Sequence, residues 1–145
     1  MNNAITYHVQ IGPHEDRVLA AALAMLGQIA HEPCFDQLRT KEQLGYIVQS
    51  HAVTMNGILG YRFLVQSERD PVYVEGRIEA FMDYLKGYLE KMTDEEFEKH
   101  RQAAISKKEE KPKNLHEEAR RFGGPIGSGF YDFAKRESKS TPQLV

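Results

Sequence analysis

Six histidines and one cysteine are the side chains of this sequence best suited to metal or nucleophile chemistry, and their spacing argues against both. A zinc peptidase site sets two histidines on one helical face with a glutamate beside them, as His-Glu-x-x-His or His-x-x-Glu-His. The metal needs several ligands, and its water needs an acceptor. His14-Glu15, His31-Glu32 and His116-Glu117 each begin such a pattern and none completes it, so they read as solvated residues at helix ends. Cys34 lies between Pro33 and Phe35, a packing context, and reads as a small buried hydrophobe rather than a nucleophile. "GGPIGSG" is glycine-rich but lacks the Lys-Ser/Thr of a nucleotide loop. What remains is "CFDQLRTKEQLGYIV", residues 34 to 48. An arginine offers a planar fork of donors to a carbonyl or carboxylate, and a tyrosine hydroxyl can donate to an oxygen that gains charge during attack on an amide. Around one tight turn, Arg39 and Tyr46 could converge on a bound peptide backbone. Alternatively, Arg39 pairs with Asp36 or Glu42 on a helix surface and Tyr46 fills a sheet. On the residues alone the second arrangement is favoured, since most surface arginines are solvated.

The elements that must position these residues follow from patterning. "AITYHVQI" alternates Ile5, Tyr7, Val9 and Ile11 against Thr6, His8 and Gln10, a strand whose polar face is either solvated or lines something. The alanine- and leucine-rich stretch from Asp16 to about His31 predicts a helix, with acids at its start. Pro33 is expected to stop it or restart a second, short helix carrying Arg39, and Gly45 to close that one in the left-handed region, so that Tyr46 begins a strand. "YIVQSHAVT" and "ILGYRFLVQS" flank Asn56-Gly57, a strong signal for an antiparallel hairpin. Asp70-Pro71 caps a helix in which Val74, Ile78, Phe81, Met82, Leu85, Leu89 and Met92 form one apolar stripe. Thr93 to Glu96 is a capping box that opens another helix, with Phe97, Arg101, Ala104 and Ile105 on one face. A third begins near Leu115, after Pro112. The expected class is α+β, a largely antiparallel sheet with helices layered on one face and incomplete at its ends.

Composition narrows the function classes. At 145 residues, 41% hydrophobic and 10% aromatic, the chain can build one core and not two. A net charge of −2 with interleaved signs predicts no nucleic-acid partner. A single cysteine excludes an internal disulfide framework and the usual cysteine zinc sites, and fits a reducing compartment. No apolar run approaches the roughly 20 residues of a membrane span, and "MNNAITYHVQ" lacks a secretory pattern. A soluble, cytoplasmic chain without a membrane partner is expected.

The string "EPCFDQLRTKEQLGYIVQS", followed by "NGILGYRFLVQSE", "RIEAFMDYL", "MTDEEFEKH" and "EEKPKNL", resembles the last of the homologous domains of the insulysin (insulin-degrading enzyme) family of zinc metallopeptidases. The similarity covers roughly residues 2 to 122. It implies a single C-terminal domain over residues 1–137 with a polar tail at 138–145, continuing at both ends in a complete enzyme. In that family the inverted zinc motif belongs to an N-terminal half. This chain is therefore expected to bind no metal or cofactor and to be inactive alone, the zinc residing in that other half. The resemblance further implies that the chain helps enclose peptide substrates, with Arg39 orienting the substrate backbone and Tyr46 assisting catalysis by stabilising the oxyanion. Lys111 and Lys113 correspond to a Lys-Pro-Lys segment that binds ATP or other polyanions, although Asn114 stands where a further lysine is usual. Their plainer reading is a solvated turn. "FGGPIGSGFYDF" departs from the family's helix, and Pro125 with its glycines, at roughly 3 and 1 kcal/mol per residue, is expected to break that element. Self-association through bared apolar surface is the remaining partner expectation, and a stand-alone peptide-binding or assembly module is the rival function.

Overall fold

In a computed structural model of the chain, which describes residues 2–127, the three alternating segments pair as one antiparallel sheet in the order β1-β3-β2. The strands are β1 (Asn3–Pro13), β2 (Ile47–Met55) and β3 (Ile58–Ser67). The β2–β3 hairpin turns on Asn56 and Gly57, both at positive φ (50° and 79°), the geometry whose twist matches flanking strands. β1 then lies against β3 from Asn3 opposite Ser67 to Pro13 opposite Ile58, with a bulge between Gln10 and Gly12.

One face of this sheet is covered. Helix α1 (Arg17–Cys34) and helix α2 (Pro71–Lys91) pack on it, and α3 (Asp94–Glu109) packs on α1. The expected stripe on α2 is the core face, with Val74, Ile78, Phe81 and Leu85 buried. Phe63 sits centrally, edge-on to Tyr7, Tyr61 and Phe81. Thr93 and Glu96 form the expected capping box of α3. The α+β reading, with helices on one side of an antiparallel sheet, is what the chain adopts.

Four expectations need correcting. Pro33 neither stops nor restarts a helix. It lies inside α1, which passes at Cys34 into π-helical turns over Phe35–Lys41, a wider winding seen in the bond from Glu42 N to Gln37 O at 3.0 Å. Gly45 is not the left-handed residue; Gln43 is, at φ 51°. Tyr46 lies in the turn and the strand starts at Ile47. Finally, α4 (Leu115–Gly127) runs through Gly123, Gly124 and Pro125 without breaking there. The remainder of that glycine-rich stretch and the 138–145 tail lie outside the described residues.

The continuous helical stretch Arg17–Lys41 has the length and composition of a membrane span. Ala21, Leu23, Met25, Ile29, Ala30, Cys34 and Leu38 are nonetheless buried within the fold, which is what a core helix does with its apolar residues.

Candidate functional site

Arg39 and Tyr46 do come together, though not as either sequence arrangement had it. The tight turn 42–46 brings the tyrosine back over the π-helical segment, where Arg39 Nε donates to the Tyr46 carbonyl at 3.2 Å. The guanidinium carbon lies 5.7 Å from the centre of the Tyr46 ring. Asp36 is taken by Lys41 at 2.7 Å, and Glu42 by Arg77, so neither is the partner of Arg39. Nor does Tyr46 fill the sheet, because it is 84% exposed. With Phe35, Thr40, Gln43 and Gly45 the pair lines an open depression.

Three attachments hold this turn. A β-carbon on Gly45 would fall 1.7 Å from the Gln66 carbonyl oxygen and 2.7 Å from its carbon, so only glycine lets the turn lie flush on the end of β3. Ser67, 3% exposed, donates its hydroxyl to the Leu44 carbonyl and accepts from Arg69 N at 3.0 Å. Glu42 receives a fork from α2, with Arg77 Nε on Oε2 at 2.7 Å and Nη2 on Oε1 at 2.8 Å, and Gln37 Nε2 adds 2.8 Å. Sequence patterning marked Gly45 for a different reason and offered no signal for Ser67 or Arg77.

Hydrogen bonding to Arg77 holds the Glu42 carboxyl below its ordinary value of 4.5, assisted by Gln37 and opposed by burial. A carboxyl whose pKa is lower in the folded chain adds stability that is complete above its unfolded value and is lost as pH falls through the folded one. Glu42→Gln should therefore lower stability at about pH 7 by on the order of 1 kcal/mol, allowing for the partial exposure of Arg77. Urea unfolding of both proteins should show the gap shrinking as pH drops below 4.5. A gap that persists undiminished in acid would mean the fork is not ionic.

The other candidates are placed as follows. Lys111 and Lys113 are exposed in the connection between α3 and α4, and Lys113 Nζ already meets Glu110 at 2.5 Å while its N–H donates to Glu117. Asn114, where a lysine was expected, accepts from Glu117 N at 2.9 Å and serves as the cap of α4. Cys34 is 1% exposed, and burial pushes its thiol up, partly offset by a hydrogen bond with Ser50. It packs and does not attack. Among the described residues no group of three or more His, Cys, Asp or Glu side chains could hold a metal ion, so these residues do not fit a zinc centre.

The profile of one protein family, PQQ synthase PqqF-like, C-terminal lobe domain 4, matches residues 25–123. Human insulin-degrading enzyme (Homo sapiens) is 49% identical over 111 residues, which is 77% of this chain and 11% of that protein. The A-factor-processing enzyme of Saccharomyces cerevisiae is 39% identical over 140 residues, 97% of this chain and 14% of that protein. The crystal structure of pitrilysin superimposes with a TM-score of 0.78 at 28% identity, over 99% of this chain and 15% of that one. The chain thus spans between 11% and 15% of the length of these proteins.

Proposed function

Because the chain belongs to the family of PQQ synthase PqqF-like C-terminal lobe domains, we propose that it is the non-catalytic closing part of an insulysin-like zinc endopeptidase. In this reading the zinc, its ligands and the base come from an N-terminal half, with which this chain encloses a peptide in the cytoplasm. Tyr46 donates its hydroxyl to the oxyanion as the amide is attacked. Arg39 holds Tyr46 through its carbonyl and turns its terminal amino groups, which make no hydrogen bond among the described residues, to a substrate carbonyl.

One observation carries the proposal. A tyrosine 84% exposed is fixed on a turn held by three attachments, with no cluster among the described residues that could carry a metal beside it. A donor held rigid before reaction costs no reorganisation when charge develops, which is what oxyanion stabilisation needs. A polyanion at Lys111 and Lys113 is a lesser part of the same reading, since Glu110 already pairs with the Lys113 ammonium.

The rival, a stand-alone peptide-binding or self-associating module, is favoured by the outer edges of β1 and β2, which pair with no strand among the described residues. A quenched fluorogenic peptide separates the two. The chain with zinc should not cleave it, and adding a separately made zinc-bearing N-terminal half should restore cleavage. Hydrolysis by the chain alone would overturn the proposal. Peptide binding with no cleavage in the mixture would favour the module.

A further inference from the structure

The face of the sheet turned away from α1 and α2 has an unusual charge pattern. β1, β2 and β3 contain no Asp, Glu or Lys; beyond two tyrosines on the core face, their ionisable side chains are His8, His51 and Arg62. The register sets these in one row across the three strands, His8 opposite Arg62 and Arg62 opposite His51.

Arg62 Nη2 lies 2.8 Å from His51 Nε2. A guanidinium has only donors, so the imidazole nitrogen accepts and His51 is neutral there. Burial first, then the Arg62 charge, lowers the His51 pKa from 6.5. On the other side of Arg62 in the register, the His8 ring lies over Gly60, where a β-carbon would fall 2.5 Å from its Cε1; the missing side chain leaves the ring room on this face. Arg62 is half-buried, its Nε is buried with no hydrogen-bond partner, and no carboxylate among the described residues pairs with it. A partly desolvated cation without a counter-ion, flanked by two groups that can also become cations, is costly to keep empty-handed.

We propose that His8, Arg62 and His51 form a subsite for a carboxylate of a bound peptide. The guanidinium fork suits a planar carboxylate, and Thr6, Gln10 and Gln49, exposed on the same face, offer neutral hydrogen bonds to the peptide around it. On binding, Arg62 Nη2 turns from the imidazole to the anion, and His51 takes up a proton and becomes a donor. His31 and Cys34 of α1 share the shallow depression beside His51, but Arg62 is the charge that acts on it. Binding coupled to proton uptake strengthens as pH falls through the ordinary histidine range. The subsite rests on the peptide-handling reading only for the source of its carboxylate.

The test is calorimetric titration of the whole chain with a short peptide bearing one glutamate and a free C-terminus, its C-amidated form, and its Glu→Gln form, at about pH 6 and 8. The glutamate or the terminus should be required, affinity should be higher at the lower pH, and Arg62→Gln should weaken binding roughly tenfold or more. His51→Gln, a milder change, should remove the pH dependence. Equal binding of an amidated peptide without an acid, or indifference to both substitutions, overturns the subsite. Displacement by inorganic phosphate as readily as by the peptide overturns its assignment to carboxylates. Restored cleavage with the zinc-bearing half is a separate readout, so the two proposals can fail independently.

Discussion

Alanine in place of Gly45 is expected to dislodge the Arg39–Tyr46 turn, the most damaging small change available near the site. The added carbon would meet backbone on the far side, 1.7 Å from the Gln66 carbonyl oxygen and 3.1 Å from Ser67 Cα. Neither can swing aside as a flexible side chain would. The strand cannot yield without pulling Val65, 1% exposed, out of the core, so the turn must lift. Lifting it strains the Ser67–Leu44 bond and the Glu42–Arg77 fork. A loss of about 3 kcal/mol or more in urea unfolding is expected, at or above the usual range for overpacking. The amide of Leu44, bonded to Leu38 O at 3.1 Å, should also exchange faster. Ser67→Ala, which removes the two hydrogen bonds of the hydroxyl but no packing, should cost less, about 2 kcal/mol. Wild-type stability in Gly45→Ala would show that the turn does not lie flush on β3.

The second large effect is kinetic. In the mixture with a zinc-bearing half, Tyr46→Phe is expected to lower kcat by about 100-fold or more, the usual range for losing one oxyanion donor. KM should change little, because the ring stays and only the hydroxyl goes. Unfolding should be unaffected, since the side chain is 84% exposed and, within this chain, meets Arg39 through the ring and the backbone. Arg39→Lys should behave differently, keeping a charge while losing the Nε bond to the carbonyl, so that kcat and KM both suffer. A Tyr46→Phe mixture as fast as wild type would remove the tyrosine from the chemistry.

The fold was largely legible because its signals are local. Alternation in residues 5–11 and the Asn56-Gly57 pair depend on near neighbours, as does the stripe from Val74 to Leu85, and each of these elements formed as patterned. The site was legible by residue type and not by arrangement. Its geometry is set by contacts between distant segments: Gly45 with Gln66, Leu44 with Ser67, Glu42 with Arg77. No periodicity records such contacts. Pro33 misleads for a related reason. Proline's local cost is real, but a helix anchored by buried residues such as Ile29, Ala30 and Leu38 can carry it.

The order β1-β3-β2 also bears on how the chain comes together. The hairpin closes over a two-residue turn, whereas β1 reaches β3 only after α1, the π-helical turns and β2 have been made. Closing that long loop is the entropically slow step, so β1, the earliest of these three strands in the chain, is the last of them to dock. The Arg39–Tyr46 turn lies inside this loop. Unzipping β1 from β3 would therefore loosen α2, which packs on β1, while the hairpin and α1, which packs on β2 and β3, stay together, making β1 a latch between the hairpin and α2.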